Sequence, residues 1–84
     1  MPRYYFDLYN DIDAIDENGV VLAGLEAAQT HALREAREMI CASVEEQGKI
    51  DLRHRIAIRD EAGNCVGEVR FENAVQFLRD GSPV

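Results

Sequence analysis

The 84 residues suffice for one small domain, and at this size only about 60 to 65% of the surface of the unfolded chain is buried, which argues against a large enclosed active site. A formal charge of -7 argues against generic affinity for nucleic acid, because phosphate binding relies on clustered Lys and Arg that release counterions. No stretch approaches the roughly 20 apolar residues that cross a bilayer, and the amino terminus shows no basic region followed by an apolar run, so a cytoplasmic protein with no membrane association is expected.

Pro2 to Tyr9 alternates, with Tyr4, Phe6 and Leu8 on one side and Tyr5, Asp7 and Tyr9 on the other, and reads as a strand. Asn10 to Asp13 is polar and turn-like. Ala14 and Ile15 begin a short extended piece that stops at Asp16-Glu17-Asn18-Gly19. Asn-Gly suits a tight hairpin turn, so Val20 to Leu22 is expected to run back beside Ala14 and Ile15.

Leu25 to Gln47 is the one segment long and periodic enough to organise a core. Leu25, Ala28, Ala32, Ala36, Met39, Ile40 and Val44 recur at three and four residues, which places them on one helical face. The run of alanines lets the helix axis approach a sheet closely, and the bulkier residues fill the second half. Gly24 stands at the N-cap without a side-chain oxygen, and Gly48 suits the left-handed position after the last turn. At about 1.5 Å per residue the helix is longer than a typical strand, so its last turns are expected to overhang the sheet.

Leu52 to Arg59 reads as the second strong strand, with Leu52, His54, Ile56 and Ile58 inward and Arg53, Arg55, Ala57 and Arg59 outward. Asp60 to Asn64 supplies a turn, and Cys65 to Phe71 returns with Cys65, Gly67, Val69 and Phe71 inward. Gly67 marks either a bulge or a close approach by the helix. Asn73 is expected to cap a short helix through Leu78 that closes the core with Ala74, Phe77 and Leu78, leaving 80–84 as a flexible tail after a single domain over 1–79. The fold class that results is α+β: two layers, with a mainly antiparallel sheet of two hairpin-like units packed on one long helix.

The opening M-P-R-Y-Y-F-D, the D-E-N-G turn, the helix L-E-A-A-Q-T-H-A-L-R-E-A-R, the strand and turn I-A-I-R-D-E-A-G and the closing V-R-F-E-N-A-V resemble a family of short alphaproteobacterial proteins grouped as a domain of unknown function. The resemblance runs from Pro2 to about Val75 and brings no catalytic or binding residues with it. One departure is Gly24, where such sequences tend to place Asp before L-E-A-A. The order of strand, D-E-x-G turn and E-A-A-rich helix is also similar to HicB-type antitoxin domains, a likeness of arrangement with few shared residues.

Three constellations bear on function. Asp7, Asp11, Asp13, Asp16 and Glu17 form an acidic cluster, but counted from Asp11 the calcium-loop pattern fails, with Ile15 at position 5 and Asp16 where Gly is needed. No metal or other cofactor is therefore expected. His31, His54, Cys41 and Cys65 have no spacing that demands a thiol-imidazole pair, and both cysteines are expected to be buried free thiols, so no enzyme is expected. The third is the outward sheet face, where Tyr5, Tyr9, Arg53, Arg55, Arg59 and Arg70 gather on a side that a single long helix cannot also cover. That composition suits a protein interface, including self-association into a homodimer, and also occurs in single-strand nucleic-acid platforms, which the net charge disfavours; the remaining alternative is a solvated face whose arginines pair with Asp7, Glu68 and Glu72. A non-enzymatic interaction module is the function expected first, and an antitoxin-like regulator that neutralises a small toxin is the second.

Overall fold

In the computed structural model, which describes residues 1–84, the alternating segments pair into one antiparallel sheet. Its strands are β1 (Arg3–Tyr9), β2 (Val20–Val21), β3 (Arg55–Arg59) and β4 (Cys65–Arg70), in the order β2-β1-β3-β4. The helix α1 (Leu25–Gln47) crosses one face, and a single turn, α2 (Phe71–Ala74), follows β4. The chain ends in a separate hairpin of β5 (Leu78–Arg79) and β6 (Ser82–Pro83). The architecture is the expected two-layer α+β arrangement. No helix is long and apolar enough to cross a membrane.

The core follows from the two periodicities. Tyr4, Phe6, Ile56 and Ile58 point from the sheet onto Ala28, Ala32, Ala36 and Ile40 of α1, with Phe71 and Ala74 closing one end. The three alanines have no exposed surface at all, so the helix backbone lies close to the strands. Burial of side chains such as Ile56 and Ile58 stabilises by about 1.5 to 3 kcal/mol each. At its carboxyl end α1 stops on Gly48, at φ 67°, whose N–H donates to Val44 O at 2.9 Å. Val44 is 47% exposed, so the last turns overhang the sheet as the helix length implies.

Four local readings need correction. First, Val20 to Leu22 does not pair with Ala14 and Ile15. Both segments pair with β1: Val20 and Val21 lie opposite Tyr4 and Arg3, and Ala14 forms an isolated bridge with Leu8. Between them the Asp16 carboxylate takes the N–H of Phe6 at 3.1 Å, the place a strand would otherwise fill. Gly19 is required there, with φ 69° and a hypothetical Cβ only 2.8 Å from Tyr4 O.

Second, β3 begins at Arg55 rather than Leu52. The Asp51 side chain accepts the N–H of Arg53 at 3.0 Å, and this local turn competes with strand pairing, leaving Leu52 38% exposed. Third, β4 carries a bulge: Gly67 pairs with Ile58, yet Cys65 pairs with Arg59, so Val66 is the extra residue. The slip of one residue turns Cys65 outward, and both Cys65 and Cys41 are exposed free thiols rather than buried ones.

Fourth, α2 ends at Ala74 instead of running to Leu78. Asp80 and Gly81 both take positive φ, 53° and 80°, the geometry of a two-residue hairpin turn, and Leu78 and Arg79 pair with Pro83 and Ser82 where a tail was expected. Phe77 and Leu78 are 50% and 55% exposed and do not close the core.

Candidate functional site

The face of the sheet away from α1 gathers five of the six residues singled out. Register sets Tyr5 opposite Arg59, Tyr9 opposite Arg55, and Arg55 opposite Arg70. The guanidinium carbon of Arg55 lies 4.4 Å from the centre of the Tyr9 ring, and that of Arg59 lies 4.9 Å from the Tyr5 ring. These are cation-π distances, so two Tyr-Arg pairs lie on one face, on either side of the Asp7-Ala57 pair. Arg53 is not part of this face. It sits on the turn before β3, bound to Asp51 at 2.6 Å, with its side chain 81% exposed.

Every arginine on the face has a carboxylate. Arg59 donates to both oxygens of Asp7, at 2.6 and 3.2 Å, and to Asp16 O at 3.0 Å. Arg55 meets Glu68 at 3.3 Å and Arg70 meets Glu72 at 3.0 Å. The three acidic partners are those the sequence suggests, and the face is charge-balanced.

Asp7 differs from the other two carboxylates in being 1% exposed. It also accepts the N–H of Asp16 at 2.9 Å, so the Asp7-Arg59 pair pins the 10–19 loop to the sheet. Burial disfavours a charged Asp16, but the N–H groups of Gly19, Phe6 and Asn18 and the Arg59 charge outweigh it and hold the carboxyl below its usual value.

The acidic cluster of the sequence does not assemble. The Asp7 carboxylate is taken by Arg59 and that of Asp16 by the N–H groups of Phe6, Asn18 and Gly19, whereas Asp11 turns toward a different segment. There Asp11, Asp51 and His54 each offer a ligand atom within 4.8 Å of the others, beside a cleft of about 630 Å³ lined by Leu8, Met39, Ile40 and Phe71. These three are the residues that could hold a metal, but the position already has a cation. Arg53 is 2.6 Å from Asp51 and 3.9 Å from Asp11, and its hydrogen bonds hold the Asp51 carboxyl far below the usual range. Asp11 is exposed as well, with 84% of its side chain accessible. His54 Nε2 is sealed from solvent without a hydrogen bond, 3.4 Å from Asp51.

No hydrogen bond joins a thiol to an imidazole, and both thiols are exposed. Cys65 Sγ contacts Gly67 O at 3.5 Å, the His31 ring lies 4.5 Å from Phe6, and His54 meets Phe71 edge-on at 5.5 Å.

Two polar features escape the sequence reading. Arg37 Nε donates to Ala74 O at 2.8 Å, tying α1 to α2, a contact that no local pattern announces. Glu35 has one oxygen buried without a partner, and burial raises its pKa; His31 at 3.5 Å opposes this, and the Asp16 and Glu38 charges add to it. The four-residue spacing of His31 and Glu35 is the signal that could have found this pair.

The family model described as a domain of unknown function (DUF6894) matches residues 3–72. No curated protein and no solved structure matches the chain.

Proposed function

The chain belongs to the DUF6894 family of domains of unknown function, and from its geometry we propose a non-enzymatic protein-interaction module that binds through the uncovered face of its sheet. The observation that carries this is the pair of stacked Tyr-Arg contacts, Tyr9 with Arg55 and Tyr5 with Arg59, on a face with no helix over it. Stacking fixes the long arginines before any partner arrives, so less side-chain entropy is lost on binding, and Tyr and Arg are the residue types that dominate interface energetics.

Charge balance directs the choice of partner class. Asp7, Glu68 and Glu72 neutralise the arginines, so few counterions would be released on contact with phosphates, which favours a protein over a nucleic acid. The lack of any hydrogen bond between a thiol and an imidazole, with His31 against Phe6 and His54 against Phe71, supports the non-enzymatic part of the reading.

The test compares proteins retained from the native cell by tagged wild type and by the double variant Tyr5→Ser, Tyr9→Ser. Both tyrosines lie outside the buried core cluster, so the variant is expected to fold. A partner held by wild type and lost from the variant is the expected result. Identical retention by both proteins would contradict binding through this face.

A further inference from the structure

The two edges of the sheet are treated differently. The β1 edge is covered three times over, by β2, by the Ala14 bridge to Leu8 and by the Asp16 carboxylate on the Phe6 N–H. The β4 edge has no neighbouring strand. An uncovered edge presents a row of free N–H and C=O groups that can pair with another chain.

Which residues of β4 present those groups follows from the ladder. The N–H of Phe71 donates to His54 O at 2.9 Å, so Phe71 faces β3. Antiparallel pairing alternates, hence Val69, opposite Ile56, also directs its backbone groups to β3, and Glu68 and Arg70 direct theirs to the free edge.

We propose that the free edge of β4 pairs antiparallel with β4 of a second copy of this chain, about a two-fold axis at Val69. This rests on the reading of the domain as an interaction module, but it uses the edge of the sheet and not its face.

Charge selects the register. An axis at Glu68 sets Glu68 against its own copy, and an axis at Arg70 does the same for Arg70; like charges directly opposite destabilise a sheet. An axis at Gly67 sets Glu68 against Val66, where the bulge interrupts the strand. An axis at Val69 sets each Glu68 opposite the partner's Arg70 in hydrogen-bonded pairs, and the two Val69 residues meet on the α1 side. Glu68-Val69-Arg70 is thus self-complementary under a two-fold. Gly67, which has no side chain, falls opposite the point where the second copy turns into α2.

The paired segment is short, so the dimer is dissociable, and sedimentation equilibrium of the full chain tests it. Wild type is expected to dimerise in a concentration-dependent way. Glu68→Arg and Arg70→Glu each place like charges opposite one another and are expected to raise the dissociation constant by about tenfold or more. An equimolar mixture of the two variants opposes only unlike charges and is expected to restore association as a heterodimer, a result that neither misfolding nor loss of the Arg55 and Glu72 pairings produces. A monomeric wild type at its highest soluble concentration, or a mixture no more associated than its components, would overturn the proposal. A dimer that survives both charge variants but is lost on Tyr5→Ser, Tyr9→Ser would overturn the edge contact and leave the face as the interface.

Discussion

Asp16 is one of sixteen Asp and Glu residues in the chain, yet it holds together more of the structure than the turn it sits in suggests. Its two oxygens accept the N–H groups of Phe6, Asn18 and Gly19 at 3.0 to 3.1 Å, which both shields the β1 edge and shapes the turn into β2. Replacing it with Ala leaves these donors without their acceptor and is expected to cost about 1 to 3 kcal/mol in chemical denaturation. Its pKa is lowered in the folded state, so its contribution is complete above the ordinary Asp value near 4 and is lost as pH falls through the lower folded value. Wild type should therefore lose stability over that acidic window more steeply than the variant, and parallel pH profiles would show that the carboxylate is not stabilised by folding. The Asp7-Arg59 pair acts beside it, with a buried carboxylate that depends on one guanidinium. Removing the Arg59 charge strands Asp7 in the protein interior, whereas Arg70 and Glu72 are both half-exposed and their pair matters little to stability.

Among the elements, α1 was legible in its bounds and in the middle of its stripe, while Leu25 and Val44 at the two ends of that stripe are 40% and 47% exposed. Its apolar spacing and the glycine that ends it fix Leu25 to Gln47, because the stripe and the cap are both local signals. The stripe also makes the firmest packing prediction. Ala32 has no exposed surface, so Ala32→Leu is expected to overpack the helix-sheet contact and destabilise by about 1 to 3 kcal/mol, read from the urea midpoint; an unchanged midpoint would contradict the packing. Gly67 is the counter-example, since a Cβ there would sit 3.4 Å from Ile58 Cδ1, within ordinary contact, and Gly67→Ala is expected to be tolerated. The strands were legible in type but not in detail. A bulge at Val66 reversed Cys65, an Asp51 turn shortened β3, and β2 chose β1 over its sequence neighbour. Each outcome depends on pairing with a distant segment or on one side-chain hydrogen bond, and neither alters the hydrophobic period of the sequence. The same causes explain the candidate face: alternation placed Tyr5, Tyr9, Arg55, Arg59 and Arg70 correctly, and the Asp51 turn removed Arg53.

At the scale of the molecule, the extents of 44 × 27 × 17 Å describe a thin, elongated body. Sheets and helices pack roughly 10 Å apart, so 17 Å accommodates the two layers and no third. One side of the sheet is committed to the core with α1, and the proposed association uses the other side and the β4 edge, which has no neighbouring strand. Amide hydrogen exchange of wild type, read residue by residue at low and high protein concentration, tests this division most directly. Protection of the Glu68 and Arg70 amides, which point away from β3, is expected to rise with concentration while the amides of α1 stay unchanged. Exchange that is independent of concentration at Glu68 and Arg70, or protection gained on α1 instead, would contradict it.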